Sequence, residues 1–464
     1  MESQERFERE ICRVIVLGRD GTKVLLNIAK PGFAFPAVEI PRWERLADNL
    51  TTALKRDWGC EAVCLFTPKC SPEDRTSNVD HYEVMECWRD GGIAARTVWA
   101  PISSLTPNSF LNPEEFRTFE QCLHRLNVYE CDESSPFARR GWLSELQDWT
   151  AQTIRALGLE LTDSFRQYSA SPAFNLIRFE TTGTAVWFKA VGEPNQREFP
   201  LTVKLAELFP SFLPEVLGTK SEWNGWLSRE VEGRNLGETT ELALWEQAAA
   251  DLARLQIQSI PESESILHLG AHDLRFDALL SAIEPFFDVV GRLMDEQPKT
   301  PPAILSRKEL GLLRVLIDDA LTLLAELRIP NTLGHLDLNP GNILVSTHRC
   351  VFLDWAEAYV GHPFFSLEYL LTHFGRGVDT SPNDRCRMVD AYTTPWRQVM
   401  SNDRITEALA LAPLAALFAY AVGINAWKDA TRLRDPKIEG YIRSLARRMN
   451  REAIELDRRS LCLS

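Results

Sequence analysis

Residues 334–355 constrain the fold most, because four polar side chains occur within them at fixed spacings. The stretch reads GHLDLNPGNILVSTHRCVFLDW, in which His335, Asp337 and Asn342 form the pattern H-x-D-x-x-x-x-N. Asp354 follows at the end of an apolar run. Phosphoryl transfer needs such a set, since one carboxylate accepts the proton of a hydroxyl while a second carboxylate and an amide oxygen hold Mg2+.

The local sequence predicts how these side chains converge. Pro340 and Gly341 break any helix, so the loop can turn tightly. Two short apolar runs, 343–346 and 350–353, predict a hairpin that carries Asp354 back toward the loop. The alternative is an ordinary turn with a solvated Asp and a capping Asn. That alternative leaves the four-part spacing without a reason, so the spacing favours a kinase-like site.

The same stretch resembles the catalytic and metal-binding loops of the aminoglycoside phosphotransferase family, relatives of the protein kinases that phosphorylate small molecules. The resemblance covers about residues 142–464. It departs from the family at Leu336, where these enzymes usually have Gly and protein kinases have Arg. The resemblance implies an α+β, protein kinase-like bilobal fold with a small β-rich lobe and a large helical lobe.

The family also implies a role for each residue of the loops. The expected reaction is ATP- and Mg2+-dependent transfer of the γ-phosphate to a hydroxyl of a small molecule. Asp337 would orient and deprotonate the hydroxyl, and Asn342 and Asp354 would hold Mg2+. His335 would support the loop by hydrogen bonding rather than carry protons.

A smaller lobe is expected upstream, beginning near Leu161. Residues 173–181 and 184–191 are predicted as strands around a Thr-Gly turn, with Lys189 on the second. A lysine on such a strand can pair with the α- and β-phosphates of ATP when a helix carboxylate holds it. Glu198 is the predicted carboxylate, with Glu207 as its competitor. Alone, the pattern would equally suit an edge-strand lysine and a solvated acid at a helix start.

Two further nucleotide contacts are implied by the family. Protein kinases cover the phosphates with a glycine-rich loop, whereas here the corresponding turn carries Ser169, Ser171 and Asn175. Their polar side chains and neighbouring N–H groups are candidates for phosphate binding. The segment WLSREVEGRNL resembles the hinge between lobes, where backbone groups from Arg229 to Val231 would bond the adenine edge.

The first part of the chain is predicted to form a separate domain over residues 1–135. Strands are expected at 12–17 and 23–28, joined through an Asp-Gly turn, then a helix over 43–58 and a strand over 62–66. Over about residues 8–130 this order resembles the Nudix hydrolase fold, a small α/β domain. A linker and docking helix at 136–160, an amino-lobe at 161–232 and a helical carboxy-lobe at 233–464 would follow.

The Nudix-like domain is expected to lack hydrolase activity. Active Nudix enzymes bind their metal ions through glutamates of one helix motif. Here Glu44 is retained, but Ala53 stands where one glutamate belongs and Arg56 and Asp57 replace a pair. A methyl group and a cation cannot bind a metal ion, so the domain is expected to act as a scaffold, partner-binding module or ligand sensor.

The amino-acid composition restricts which binding partners and which cellular compartment are expected. The formal net charge of −14 argues against nucleic acid and suits a cationic acceptor, although it also serves solubility. The N-terminus has no apolar signal region, and the ten cysteines lack a C-x-x-C pair, which indicates a cytoplasmic protein. A zinc site is the alternative for five irregularly spaced residues, Cys60, Cys64, Cys70, His81 and Cys87.

One uncharged segment, residues 408–427, is long enough to span a membrane. Its alanines, Pro413, Gly423 and Asn425 favour a buried helix instead, so no membrane partner is expected. The sequence leaves the acceptor and the oligomeric state open. It also leaves an alternative function open, a nucleotide-binding pseudokinase or scaffold that senses a ligand or binds a partner.

Overall fold

The computed structural model describes residues 9–41, 44–68, 81–92, 94–377 and 381–463. The chain forms two compact units. The first contains the chain up to Phe199 together with Glu215–Glu230, and the second contains Pro200–Pro214 and Val231–Ser464. The mixture of sheets and helices confirms the α+β class, and the chain leaves the first unit for the last time between Glu230 and Val231, inside the predicted hinge.

The first unit begins with a mixed seven-stranded sheet. Its strands are β1 (Arg9–Leu17), β2 (Lys23–Ala29), β3 (Gly32–Ala34), β4 (Ala37–Pro41), β5 (Cys60–Phe66), β6 (His81–Asp90) and β7 (Thr97–Pro101). The order β3-β2-β1-β6-β5 is extended by β4 on β1 and by β7 on β2. Helix α1 (Leu46–Trp58) and helix α2 (Pro113–Tyr129) complete this part.

Local turn chemistry explains two of these boundaries. Between β1 and β2, the Asp20 carboxylate accepts the Thr22 N–H at 2.9 Å, and Gly21 has φ +69°. Helix α1 ends at Gly59, whose φ of +67° is typical of a C-cap glycine. The predicted strands and helix are therefore present, although the predicted helix start at Trp43 lies outside the described residues.

The predicted Nudix positions lie on α1 without forming an acidic cluster. Ala53 is buried, while Arg56 and Asp57 pair with each other at 2.6 Å on the exposed face. Four cysteines pack in the core between the sheet and α1, namely Cys12, Cys60, Cys64 and Cys87. Within the described ranges no cluster of three or more His, Cys, Asp and Glu side chains is placed to hold a metal ion, and Cys70 lies outside them. The resemblance to the Nudix fold stays a prediction.

A second sheet of the same unit has the order β11-β12-β10-β9-β8. Its strands are β8 (Leu161–Ser171), β9 (Phe174–Thr181), β10 (Val186–Ala190), β11 (Val216–Lys220) and β12 (Gly225–Arg229), and helix α3 (Trp142–Arg155) precedes them. One hydrophobic core runs from the first sheet through α3 to this sheet. The predicted linker contributes to it, because Phe137 and Ala138 are fully buried.

The second unit is mainly helical. Helix α4 (Glu198–Leu208) enters it from the first unit. Its other helices are α5 (Leu242–Ser259), α6 (Ser263–His268), α7 (Phe276–Asp295), α8 (Arg307–Glu326), α9 (Phe364–Gly377), α10 (Pro382–Trp396), α11 (Asn402–Gly423) and α12 (Pro436–Leu463).

Two small sheets of this unit position the polar loops. The first pairs β13 (Arg234–Asn235), β16 (Ile343–Val345) and β17 (Cys350–Phe352). The second pairs β14 (His272–Leu274), β18 (Ala358–Gly361) and β15 (Thr332–His335).

Helix α11 contains most of the uncharged segment 408–427 that could be mistaken for a membrane span. It is long and apolar enough by composition, and 56% of its most apolar window is buried inside the protein. It packs against α8, α9 and α12. This burial agrees with the expectation of a core helix, and Pro413 lies within the helix rather than ending it.

Candidate active site

The pattern H-x-D-x-x-x-x-N lies on the loop that joins β15 to β16. The turn Pro340–Asn342 closes this loop, and Asn339 caps the turn by accepting the Gly341 N–H at 2.8 Å. From β13, the Asn235 amide donates to the Gly341 carbonyl at 2.8 Å. The loop is therefore stabilised by a hydrogen bond within it and by another from the neighbouring strand β13.

Asp337 lies at the centre of the loop with its side chain half-buried. Its Oδ1 accepts hydrogen bonds from the Asn339 amide at 3.1 Å and from the Tyr369 hydroxyl at 3.5 Å. Its Oδ2 accepts one from the Asn342 amide at 3.3 Å. These three donors are neutral groups that orient the carboxylate and leave its negative charge in place. Such a carboxylate can accept a proton from a hydroxyl.

The side chain of Asn342 is oriented by the same residue. Its Nδ2 donates to the Asp337 backbone carbonyl at 2.9 Å as well as to the carboxylate. With the amide nitrogen engaged in these bonds, the amide oxygen is the atom that can ligate a cation. This orientation suits the role predicted for Asn342.

Asp354 directly follows the hairpin of β16 and β17. The predicted hairpin is present, with Ile343 opposite Phe352, and the Leu353 N–H donates to the Asn342 carbonyl at 2.8 Å. Asp354 itself has φ +63° and an exposed side chain. Non-glycine residues rarely adopt this conformation, and Asp is among those that tolerate it. The backbone therefore fixes this carboxylate one residue from a strand that is bonded to the Asn342 loop.

His335 ties the two loops together. Its Nε2 donates to the Leu353 carbonyl at 3.0 Å, and its Nδ1 accepts the Asp337 N–H at 3.1 Å. The ring lies 4.9 Å from the Trp355 ring, between centroids, and is buried. Burial lowers the pKa of His335, so the imidazole is neutral, as its acceptor Nδ1 requires. The residue positions the carboxylates by hydrogen bonding.

In the first unit, Lys189 pairs with Glu198. The lysine lies on the central strand β10 and meets the first residue of α4 with Nζ and Oε1 2.5 Å apart. The side chains are 17% and 2% exposed, and the ammonium lies 5.7 Å from the Trp226 ring centroid. The competitor Glu207 pairs with Lys204 on the exposed face of α4. The sequence left this choice open, and the structure pairs Lys189 with Glu198.

The predicted phosphate-covering residues lie on the β8–β9 hairpin, and two of them are engaged inside the protein. Asn175 is fully buried, where its Oδ1 accepts a hydrogen bond from Gln167 at 3.3 Å. The Ser171 hydroxyl accepts the Phe174 N–H across the turn at 3.1 Å. Ser169 is half-buried on β8. The prediction is wrong for Asn175, because the strand alternation turns this side chain into the core.

The predicted hinge contact at Arg229 is also satisfied inside the first unit. Its backbone N–H donates to the Glu215 carbonyl at 2.9 Å, and its guanidinium pairs with the Glu215 carboxylate at 2.6 Å. The N–H of Glu230 donates to the Ala185 carbonyl at 3.0 Å. The N–H groups of Arg229 and Glu230 are therefore engaged within the sheet, and an adenine contact through other backbone groups from Arg229 to Val231 stays a prediction. Val231 begins the last segment of the second unit.

A cavity of about 570 Å3 in the second unit starts at the catalytic loop. His335 and Leu336 lie at one end of it, and α9, α10, α11 and α12 supply the other walls. A cavity of this size accommodates a small molecule. No sequence motif marks the residues of these walls, because they come from four helices and share only a helical spacing.

Two further residues explain details that sequence reasoning missed. Tyr369 of α9 lines the cavity and reaches Asp337 with its hydroxyl. Leu336, the departure from the family pattern, is buried against Gly423 of α11, where an added Cβ would lie 2.3 Å from the leucine Cδ1. The larger residue in the loop is therefore accommodated by a glycine in the helix that faces it.

Two acidic residues that follow the catalytic loops in sequence, Glu357 and Glu368, each have a basic partner. Glu357 pairs with His272 at 3.1 Å, and Glu368 pairs with Arg385 at 3.2 Å. Only Glu368 is among the residues that line the cavity.

Comparison with known proteins supports the resemblance over the segment that carries the loops. Residues 196–399 match the family model described as "Phosphotransferase enzyme family". No curated protein matches the chain in sequence. The matched segment contains the four polar residues with which the sequence analysis began, and it excludes Lys189 and the domain before it.

Several solved structures are similar to part of the chain. A macrolide 2'-phosphotransferase from Brachybacterium faecium has 17% identity and a TM-score of 0.41, covering 66% of this chain and 98% of that one. An ethanolamine kinase from Plasmodium vivax has 12% identity and a TM-score of 0.46, covering 72% and 93%. A choline kinase from Cryptosporidium parvum has 10% identity and a TM-score of 0.49, covering 68% and 97%.

Proposed function

We propose that this protein, a small-molecule kinase, transfers the γ-phosphate of ATP to a hydroxyl group. The premise is the match of residues 196–399 to the phosphotransferase enzyme family. The kinase-like bilobal fold, the use of ATP and the need for Mg2+ are parts of this proposal. A cytoplasmic location is expected with it, since the acceptor and ATP would both be met there.

One observation carries the proposal, the mutual support of Asp337, Asn342 and His335. The side-chain amide of Asn342 and the imidazole of His335 each bond the segment at Asp337. The backbone carbonyl of Asn342 accepts the Leu353 N–H, and the imidazole donates to the carbonyl of Leu353, the neighbour of Asp354. The carboxylate is thereby oriented by fixed neighbours before any substrate binds. Such preorganisation is how phosphoryl-transfer enzymes act, because their protein groups mainly position reactants and stabilise charge.

In the proposed reaction, the acceptor hydroxyl donates a hydrogen bond to the carboxylate of Asp337, which takes its proton as the new P–O bond forms. The three neutral donors around this carboxylate keep it from rotating away. His335 stays neutral and holds the backbone of the loop. The leaving ADP carries away the electron pair of the broken P–O bond, so the atoms and charges balance.

The donor set in the second unit fits Mg2+. Asp354 offers a carboxylate, and Asn342 offers an amide oxygen whose nitrogen is engaged elsewhere. Mg2+ prefers such hard oxygens and keeps several waters. When bound with ATP, the metal neutralises charge on the phosphates. In the first unit Lys189 would bind the α- and β-phosphates, with Glu198 holding its ammonium on the strand.

A second candidate, a nucleotide-binding protein without transfer, is favoured by one observation. The β8–β9 hairpin lacks glycine, and its Asn175 is buried. A protein of that kind would bind Mg-ATP and leave every acceptor unphosphorylated. The intact pair of loops argues against it, since binding alone does not require an oriented base.

Acceptor-dependent ATP consumption by the full-length protein tests the proposal. We expect consumption with at least one class of hydroxyl compound in the presence of Mg2+, and its loss when the metal is chelated. Asp337→Asn should lower turnover by about 10²-fold or more while Mg-ATP binding persists. Asp319→Asn, an exposed carboxylate on α8, is the matched control and should behave as wild type. Undiminished turnover by Asp337→Asn would refute the role of this residue.

A further inference from the structure

The cavity beside the catalytic loop carries charges that narrow the class of acceptor. Among the residues that the structure describes, its charged lining consists of three arginines, Arg376, Arg385 and Arg448, and two glutamates, Glu368 and Glu452. The ion pair between Glu368 and Arg385 compensates one charge of each sign. Two guanidinium groups and one carboxylate then remain, so the lining outside that pair carries a positive net charge.

The other polar groups of the lining add hydrogen-bond donors. Burial and the Arg376 charge lower the pKa of His373, which therefore stays neutral near pH 7. Burial raises the pKa of Tyr369 and of Tyr420, so both keep their hydroxyl protons. A wall of guanidinium and hydroxyl groups is suited to oxygen acceptors on a ligand, above all anionic ones.

The arrangement along α9 sets a direction from the reacting end to the basic end. Tyr369 meets Asp337, and Arg376 lies seven residues further along the same helix, which is about 10 Å at the α-helical rise. Residues 369, 373 and 376 follow the i, i+4, i+7 spacing of one helix face and all line the cavity. A hydroxyl at Asp337 and a charged group at Arg376 would therefore lie at opposite ends of one ligand.

Aromatic rings lie along this direction. The ring of Tyr369 has its centroid 4.9 Å from that of His373 and 5.6 Å from that of Tyr420. The Tyr420 hydroxyl is bonded to the Tyr441 hydroxyl at 2.8 Å. These rings offer flat surface to a planar or cyclic portion of a ligand.

We propose that the acceptor is a cyclic hydroxyl compound that carries an anionic group, a carboxylate or a phosphate, at the end away from the hydroxyl. Its length would be on the scale of the helical rise from Tyr369 to Arg376, about 10 Å. This inference rests on the proposed kinase function and identifies its substrate class. Arg376 and Arg448 bind the anion, and Asp337 receives the hydroxyl. An acceptor with an ammonium group at that position would instead meet like charges, which disfavours it.

A matched ligand series tests the charge preference. Four phenyl glucosides that differ only in the para substituent provide it, with carboxylate, phosphate, hydroxymethyl and aminomethyl groups. Their affinities for the full-length protein are measured by calorimetry. We expect the two anionic members to bind at least about 10-fold more tightly than the neutral and cationic ones. Their order relative to each other distinguishes a carboxylate from a phosphate acceptor.

Substitutions locate the preference in the cavity. Arg376→Gln and Arg448→Gln should each weaken binding of the anionic members by about 10-fold and leave the neutral member unchanged. Arg376→Lys keeps the charge and should retain part of the preference. Arg314→Gln, on the exposed face of α8 and outside the lining, is the control.

The outcomes separate this inference from the kinase proposal. Tighter binding of the aminomethyl member, equal binding of all four or no measurable binding of any would overturn the anionic preference. Phosphorylation of a cationic acceptor would do the same while leaving the kinase function intact. Preferred binding of the anionic members without ATP consumption on any acceptor would support the preference and refute the kinase function.

Discussion

The loops around Asp337 and the β8–β9 hairpin make opposite use of their polar residues. In the second unit, most bonds that fix Asp337, Asn342 and the backbone next to Asp354 come from within the two loops, with Tyr369 adding one from α9. In the first unit, the buried Asn175 bonds Gln167, whose Oε1 accepts the Cys64 N–H of the preceding domain at 2.9 Å. The catalytic loops are therefore fixed largely by bonds to each other, whereas the buried amide of the hairpin depends on the domain that precedes it.

This difference indicates what the first domain does for the second sheet. Besides the bond to Cys64, Arg166 of β8 pairs with Asp48 of α1, and the turn carbonyl of Pro172 accepts the Phe137 N–H at 3.1 Å. Glycine-rich loops are held by the nucleotide they bind, but this hairpin is held by protein contacts. The comparison therefore predicts activity losses at the loops and stability losses at the hairpin.

The largest effect is expected for Asp354→Asn. The change removes the charge proposed to hold Mg2+ and keeps the shape of the side chain, so turnover should fall about 10³-fold, equivalent to about 4 kcal/mol of transition-state stabilisation. Thermal stability should change little, because the side chain is exposed. Steady-state kinetics across a Mg2+ titration and a melting curve check both parts. Full activity at ordinary Mg2+ would place the metal elsewhere.

A smaller effect is expected at Glu83 of β6, which lies next to the hairpin contact at Cys64. The side chain is 3% exposed, and burial raises its pKa from 4.5 to about 7, although the Thr67 hydroxyl donates to it. The folded protein thus keeps a proton that the unfolded chain releases above pH 4.5. Stability should therefore fall as the pH rises between these values, by about 3 kcal/mol in total, and level off above.

Glu83→Gln isolates this contribution. The amide still accepts from Thr67 but has no charge to bury, so the variant should gain stability relative to wild type at pH 8 and little at pH 4.5. Chemical unfolding at the two pH values measures the difference. An unchanged difference between variant and wild type across the range would show that Glu83 does not titrate there.

Gln167→Ala should destabilise the protein by about 2 kcal/mol, because it leaves the buried Cys64 N–H and the Asn175 amide without this partner. Thr162→Ala, near the exposed start of β8, is a control for the same strand. Denaturant unfolding with both variants gives the comparison. Equal stability of the two would mean that the buried amide contributes nothing to the hairpin.

Glu198→Gln is expected to have the smallest effect, about a 10-fold increase in the KM for ATP with a lesser change in kcat. The amide still meets Lys189 but no longer fixes its ammonium by charge. Glu207→Gln, at the competitor position that pairs with Lys204, is the matched control and should leave both constants unchanged. A larger effect from Glu207→Gln would reverse the assignment.

The predicted features were those that local chemistry determines. The hairpin after Asn342 and the helix end at Gly59 follow from turn and capping residues close in sequence. The sequence left two candidate carboxylates for Lys189, namely Glu198 and Glu207. Only packing distinguishes them, because Glu198 is buried and Glu207 is exposed. Such choices depend on burial, which a single sequence does not display.

The missed features arise from distant packing. Nothing near Asn175 indicates that Gln167 and Cys64 will surround it, and nothing near Phe137 indicates that a polar segment will enter a core. The cavity walls likewise combine four helices, so Tyr369 and Arg376 carry no motif. The family match begins at residue 196, after these features of the first unit, so the role of the first domain is a question for experiment.

The central claim is that Asp337 directs the γ-phosphate of ATP onto an acceptor hydroxyl. Phosphorus NMR of the reaction mixture tests it most directly, using the full-length protein, Mg-ATP and each hydroxyl compound that is tested for ATP consumption. We predict a phosphate ester formed in equal amount to ADP by the wild type and not detected in the same time with Asp337→Asn. Formation of ADP with inorganic phosphate alone, or an equal yield of ester from Asp337→Asn, would contradict the account.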